Sequence, residues 1–354
     1  MRFGIAYGVA VGFVLALGLG VLLLFLLLVA QREIANLLAA YTRRRELVLT
    51  PLLHRALDDP AATLELRLAF RRLDPLVIRE VLLRLAADLR GEEAARIARL
   101  YRDLGLLDTE LAGLRSIRRS RRAAAAANLG TLRIPGTLRA LVPALADAAM
   151  DVRMAAVRAI GDLGTREALA ALVPMLGDPS PAVARQAQDI LAEKGRKVAR
   201  EIRTYLRQTG SRRGRLAGVE LLGWHRAPEA VRILLELCRD PDPEMRVKAV
   251  KAAAAIGDPR FLAPFHALLE DPQWEVRCHA ARGLGLLGSP ASVPGLRALL
   301  DDRHWWVRYH AAVALAELGA DGKTALEDAR GDVQPRVRDM ARYILERSVI
   351  PALP

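Results

Sequence analysis

From residue 116 onward the chain repeats itself, and that repetition restricts its fold more than any other feature. "DPDPEMRVKAVKAAAAIG" begins at Asp240, "DPQWEVRCHAARGLGLLG" at Asp271 and "DRHWWVRYHAAVALAELG" at Asp302, a step of 31 residues each time. The same frame holds at Asp178 and Asp147. It continues in degenerate form at Thr209 and Ser116, and it ends at Asp332 after a one-residue deletion. Eight copies result. Self-similarity at this period marks an array of supersecondary units that bury their apolar faces only by stacking.

Each copy reads as two helices. Around Asp271, "FLAPFHALLE" supplies the first helix and Asp271-Pro272 the turn. An Asp before a helix accepts a hydrogen bond from its free N–H groups, and Pro suits the first turn. "WEVRCHAARGLGLL" supplies the second helix, and Gly288 closes it in the left-handed conformation that Gly adopts cheaply. Val276, Ala280, Gly283 and Leu287 recur at helical spacing as its buried stripe. Alanine, leucine and arginine dominate, strand-like alternation is missing, and the fold class is all-α.

With its Asp-Pro turn, Asp to Val-Arg spacing, Ala-Ala pair and closing Gly, the unit resembles a HEAT repeat, of the short form also found in phycobilisome lyases. The resemblance implies an α-solenoid over 116–354. It also implies that the pairs Asp147/Arg153, Asp240/Arg246, Asp271/Arg277, Asp302/Arg308 and Asp332/Arg338 form a structural ladder between units, with no part in catalysis. Residues 33–115 lack the signature and are expected to form a juxtamembrane helix and an N-terminal cap.

The N-terminus differs in kind. No charged residue occurs from Gly4 to Ala30. As a helix this run spans roughly 40 Å, against a hydrocarbon core of about 30 Å. It is longer than the apolar part of a signal peptide and lacks a good cleavage site, so residues 1–32 read as a retained anchor. Arg32, Arg43, Arg44 and Arg45 follow the span and only Arg2 precedes it, which places the C-terminal solenoid in the cytoplasm of a single-pass inner-membrane protein. The small residues Gly4, Gly8 and Gly12 suit a close helix crossing, hence a homodimer. Cys238 and Cys278 form neither a metal motif nor a disulfide framework.

Two groups of residues are candidates for binding. In the last copies Trp274 matches Trp305, His279 matches His310, and Cys278 matches Tyr309. Trp274, His279, Trp305, Trp306, Tyr309 and His310 are expected either to fill gaps between repeats or to line a groove for a protein partner. The second group is basic. Much of the net charge of +13 sits in "RSIRRSRR" (115–122) and in residues 193–215, at the two degenerate copies. Arg118, Arg119, Arg121, Arg122, Arg196, Arg200, Arg203 and Arg207 are expected to form a solvated outer face or to contact a polyanion, an anionic lipid headgroup before a nucleic acid. No nucleophile–base arrangement, phosphate loop, metal set or cofactor motif is visible.

The leading expectation is therefore a membrane-anchored cytosolic scaffold that binds protein and is not an enzyme. The rivals are a bilin lyase-like enzyme, which the resemblance implies, and a polyanion-binding solenoid.

Overall fold

The computed structural model describes residues 18–33 and 75–348, together with residues 36, 40, 51 and 55. The chain divides into two compact units, residues 1–109 and 110–354.

In the first unit residues 18–33 are helical, and the large apolar side chains from Leu19 to Val29 are exposed. Residues 4–17 of the expected anchor, with Gly4, Gly8 and Gly12, lie outside the described residues. Among the described residues no helix is long and apolar enough to cross a membrane. Two helices follow, α1 (Pro75–Asp88) and α2 (Gly91–Asp103). They pack on each other and bury Ile78, Val81 and Leu82 with Ile97, Leu100 and Tyr101. A third, α3 (Leu106–Gly113), crosses the boundary between the units.

The second unit is a stack of helix pairs. The second helices of the pairs are α4 (Arg119–Leu132), α6 (Met150–Leu163), α8 (Pro181–Lys194), α10 (Arg212–Trp224), α12 (Pro243–Ile256), α14 (Trp274–Leu287), α16 (Trp305–Glu317) and α18 (Pro335–Ser348). The helices between them are α5 (Leu138–Leu141), α7 (Arg166–Leu172), α9 (Ala199–Gln208), α11 (Val231–Leu237), α13 (Leu262–Leu268), α15 (Val293–Ala298) and α17 (Ala320–Ala329). Each second helix packs on the next. The degenerate copies fold like the others, as α4 and α10.

The turn differs in detail from its sequence reading. Asp271 Oδ1 accepts the N–H of Gln273 at 2.9 Å, the residue just before α14, and Pro272 lies outside the helix. The first helix is shorter than "FLAPFHALLE", because a 3-10 turn takes Pro259–Phe261. Gly288 has φ +69° and closes α14 as a left-handed cap. Val276 and Ala280 are fully buried.

The Asp and Arg six residues apart do not pair through the Asp carboxylate. Arg277 Nη1 donates to the backbone carbonyl of Asp271 at 2.8 Å. Its Nε and Nη2 grip the carboxylate of Asp302, one repeat further on, at 2.7 and 3.0 Å. Arg153–Asp178 and Arg246–Asp271 repeat this arrangement. Arg122–Asp147 does so too, with its Nη1 on the carbonyls of Ser116 and Ile117. Arg215 meets Asp240 through Nη2 alone, at 2.5 Å. In each rung an Arg bridges to the Asp 25 residues later. Arg122, Asp178 and Arg215 belong to the ladder and were not among the residues expected there. Among the described residues Arg308 and Arg338 reach only backbone carbonyls.

One rung is missing between two filled ones, Arg153–Asp178 and Arg215–Asp240. The positions that would supply it hold Ala184 and Thr209. Thr209 Oγ1 still accepts the Ser211 N–H at 3.1 Å, so the turn survives without its charge. Here the Tyr205 hydroxyl is buried without a partner, and a Cβ on either Gly177 or Gly214 would collide with it.

Candidate functional site

The first turns of α16 carry Trp305, Trp306, Tyr309 and His310. Residues four apart on a helix share a face, so Trp305 stacks on Tyr309 at 5.1 Å and Trp306 on His310 at 6.4 Å. The two tryptophans meet edge to face at 4.8 Å. Tyr309 also approaches Tyr343 of α18 at 6.4 Å. Trp305 remains 44% exposed and Trp306 53%, so the two tryptophans face outward, while Tyr309 and His310 are half-buried beneath them.

The structure brings together four of the six expected groove residues. Trp274 reaches these four through His304, the residue before Trp305, on which it stacks at 5.5 Å. His279 sits half-buried on α14, close enough to His310 for the two rings to interact electrostatically. Burial, with Lys251, His310 and Arg282 nearby, pulls the His279 imidazole down to about 4. Burial and Arg282 lower His310 as well. Both rings are therefore neutral at pH 7 and present hydrogen-bonding surfaces without charge. His304 and Tyr343 complete the cluster and were not expected from the sequence. His304 directly precedes the tryptophans. Tyr343 lies outside the columns of Trp305, Tyr309 and His310, so column matching could not find it.

The basic residues do not act as one patch. Arg122 is committed to the ladder with Asp147, which holds its guanidinium in place. Arg196 lies in a 3-10 turn, Gly195–Val198, ahead of α9, so it does not continue the face of Arg200, Arg203 and Arg207. Arg203 donates to the Glu229 carbonyl at 2.9 Å, and Arg207 approaches Glu236 at 3.4 Å. Arg118, Arg119, Arg121, Arg196 and Arg200 are exposed.

A shallow cavity of about 290 Å³ lies beside α9, lined in part by Val173, Arg200, Glu201 and Tyr205. Glu201 takes Arg166 through Oε1 at 2.8 Å, while its Oε2 is buried without a partner. Among the described residues no group of three His, Cys, Asp or Glu side chains is placed to hold a metal ion. Cys238 and Cys278 are free and buried, and burial pushes their thiols up to about 12 and about 11.

No curated protein matches the chain. Among solved structures it is similar to the complex of CpcE and CpcF of phycocyanin lyase from Nostoc, with 21% identity, 68% of this chain and 94% of that one covered, and a TM-score of 0.31. It is similar to Kap121p with 16% identity, 80% and 43% covered and a TM-score of 0.38. An engineered protein gives 18%, 80% and 98%, and 0.31. The HEAT repeats family matches residues 111–192, 200–271 and 262–346, which is most of the chain. Together with the stacked helix pairs, that match shows that the chain belongs to the HEAT-repeat family.

Proposed function

We propose that this chain is a non-enzymatic adaptor. Residues 4–30 anchor it in the inner membrane, and its cytoplasmic solenoid holds a protein partner against the surface formed by α14, α16 and α18. The observation that carries this reading is the pair of adjacent tryptophans, exposed yet fixed by stacking on Tyr309 and His310. Large rigid aromatics lose little entropy on binding and serve as interface anchors. The neutral His310 stacks on Trp306, and the cations Lys251 and Arg282 lie near the histidines. A polyanion reading has less support, because Arg122, Arg203 and Arg207 spend donors inside the protein.

In-cell crosslinking and pull-down of the full-length protein from membranes tests the reading, beside a Trp305→Ala/Trp306→Ala variant checked by circular dichroism. A specific protein lost from the variant is the expected result. Identical partners in both samples overturn it. Release of the chain from membranes by alkaline carbonate would overturn the anchor.

A further inference from the structure

The rungs of the ladder supply an internal standard. In Arg153, Arg246 and Arg277, Nη1 is clamped by carbonyls of the arginine's own turn. Nε and Nη2 then form a fork that holds a carboxylate from the following repeat. At Arg308 the first half of this arrangement is intact. Nη1 donates to the carbonyls of Asp302 at 2.8 Å and Arg303 at 3.3 Å.

The second half is missing. The last copy begins one residue early, and Asp332 falls short of the rung spacing. Its carboxylate goes instead to Arg297 Nη2 at 2.7 Å and to the Gln334 N–H at 2.9 Å. Residue 25 positions after Arg308 is Val333, which is 88% exposed and has no acceptor to offer. Among the described residues Arg308 Nε is buried without a hydrogen-bond partner and Arg308 forms no ion pair. A buried donor without an acceptor is costly, and a guanidinium fork matches a carboxylate in shape and charge. Trp305, one turn before Arg308, is stacked on Tyr309, the residue after it, and Tyr309 meets Tyr343 of the next repeat.

We propose that the open fork of Arg308 is a carboxylate-binding site for an acidic side chain of the protein partner. The partner's Asp or Glu takes the place of the absent rung Asp, and the apolar residue beside it rests on Trp305 and Tyr309. The inference rests on the adaptor reading and names the chemistry of its anchor point. Four of the filled rungs argue for this occupant, since in Arg122, Arg153, Arg246 and Arg277 the same fork, held the same way, takes an Asp carboxylate.

The test uses the full chain in detergent micelles and two tryptophan-free probes, acetyl-Leu-Asp-Pro-amide and acetyl-Leu-Asn-Pro-amide, read by tryptophan emission. The Asp peptide is expected to bind saturably, and the Asn peptide at least about tenfold more weakly, as for loss of a charged hydrogen bond. Arg308→Lys keeps the charge and loses the fork, and it should weaken the Asp peptide by a similar factor. Equal binding of the two peptides, no binding of either, or an unchanged Arg308→Lys overturns the proposal. If Arg308→Lys fails to fold, the comparison of the two peptides on the unaltered chain decides. In the crosslinking experiment, a partner lost from the Trp305→Ala/Trp306→Ala variant but kept by Arg308→Lys overturns the fork and leaves the adaptor reading standing.

Discussion

Arg277 shows how one side chain holds two repeats. It and Asp302 are each only 8% exposed, and the fork uses both carboxylate oxygens. Removing one partner of such a pair leaves the other buried and unmatched. Arg277→Ala should therefore cost about 3–5 kcal/mol in urea unfolding, and a loss below about 1 kcal/mol would contradict the ladder's structural role. A second residue sets a pH response. His279 is held neutral down to about 4 in the folded chain, while the free imidazole protonates near 6.5. Between these values the unfolded chain binds more protons, so stability is full above about 6.5 and is lost as pH falls toward 4. His279→Gln should flatten the denaturation midpoint across that window, and an unchanged slope would refute the assignment. The sequence made both residues visible but not their partners. Asp and Arg six apart within a copy and 25 apart across copies follow equally from a 31-residue period, so periodicity cannot choose between them. Only the side chain's reach to the next turn does. The aromatic columns misled in a related way. Trp274 and Trp305 are equivalent, but Trp274 stacks on His304, just before the next second helix, whereas Trp305 stacks on Tyr309, four residues on along its own helix.

Helix against helix, the fit depends on small residues in register. A Cβ on Gly130 would lie 2.6 Å from the Cα of Ala159, one on Gly223 2.8 Å from that of Ala252, and one on Gly285 2.9 Å from that of Ala314. These are backbone contacts, so no side chain can move aside. Gly223→Ala should force α10 and α12 apart and cost about 1–3 kcal/mol, although alanine is the better helix former. A neutral or stabilising result by thermal melt would mean that the two helices slide freely. Helix identity and the glycine stops were legible in the sequence, since α14 spans Trp274–Leu287 as read and Gly288 caps it. The first helices were less so. Their 3-10 turns, such as Pro259–Phe261 and Val173–Gly177, each carry a Pro in the first turn, and Asp258 caps the former, signals that suit the start of an α-helix as well as a 3-10 turn.

For the solenoid as a whole, nearest-neighbour coupling decides how cooperatively it unfolds. That coupling lacks its ion pair between α8 and α10, where Ala184 and Thr209 stand. What replaces it is a Gln188–Glu220 hydrogen bond at 3.2 Å and Arg213 at 3.3 Å from the Asp178 carbonyl. Amide hydrogen exchange should then show weaker protection in the first turn of α10 than in those of α12 and α14. Equal protection would mean that the substitute contacts match a rung. The ladder has one more consequence, for inheritance. A rung takes its Arg from one copy and its Asp from the next, so the length of sequence that is copied is offset from the structure that is stable. Excising residues 240–270 would leave Arg215 25 positions before Asp271, the spacing it now keeps from Asp240. Arrays of this kind can gain or lose a whole copy while the cation at the joint still finds a carboxylate, and natural variation in copy number need leave no scar there.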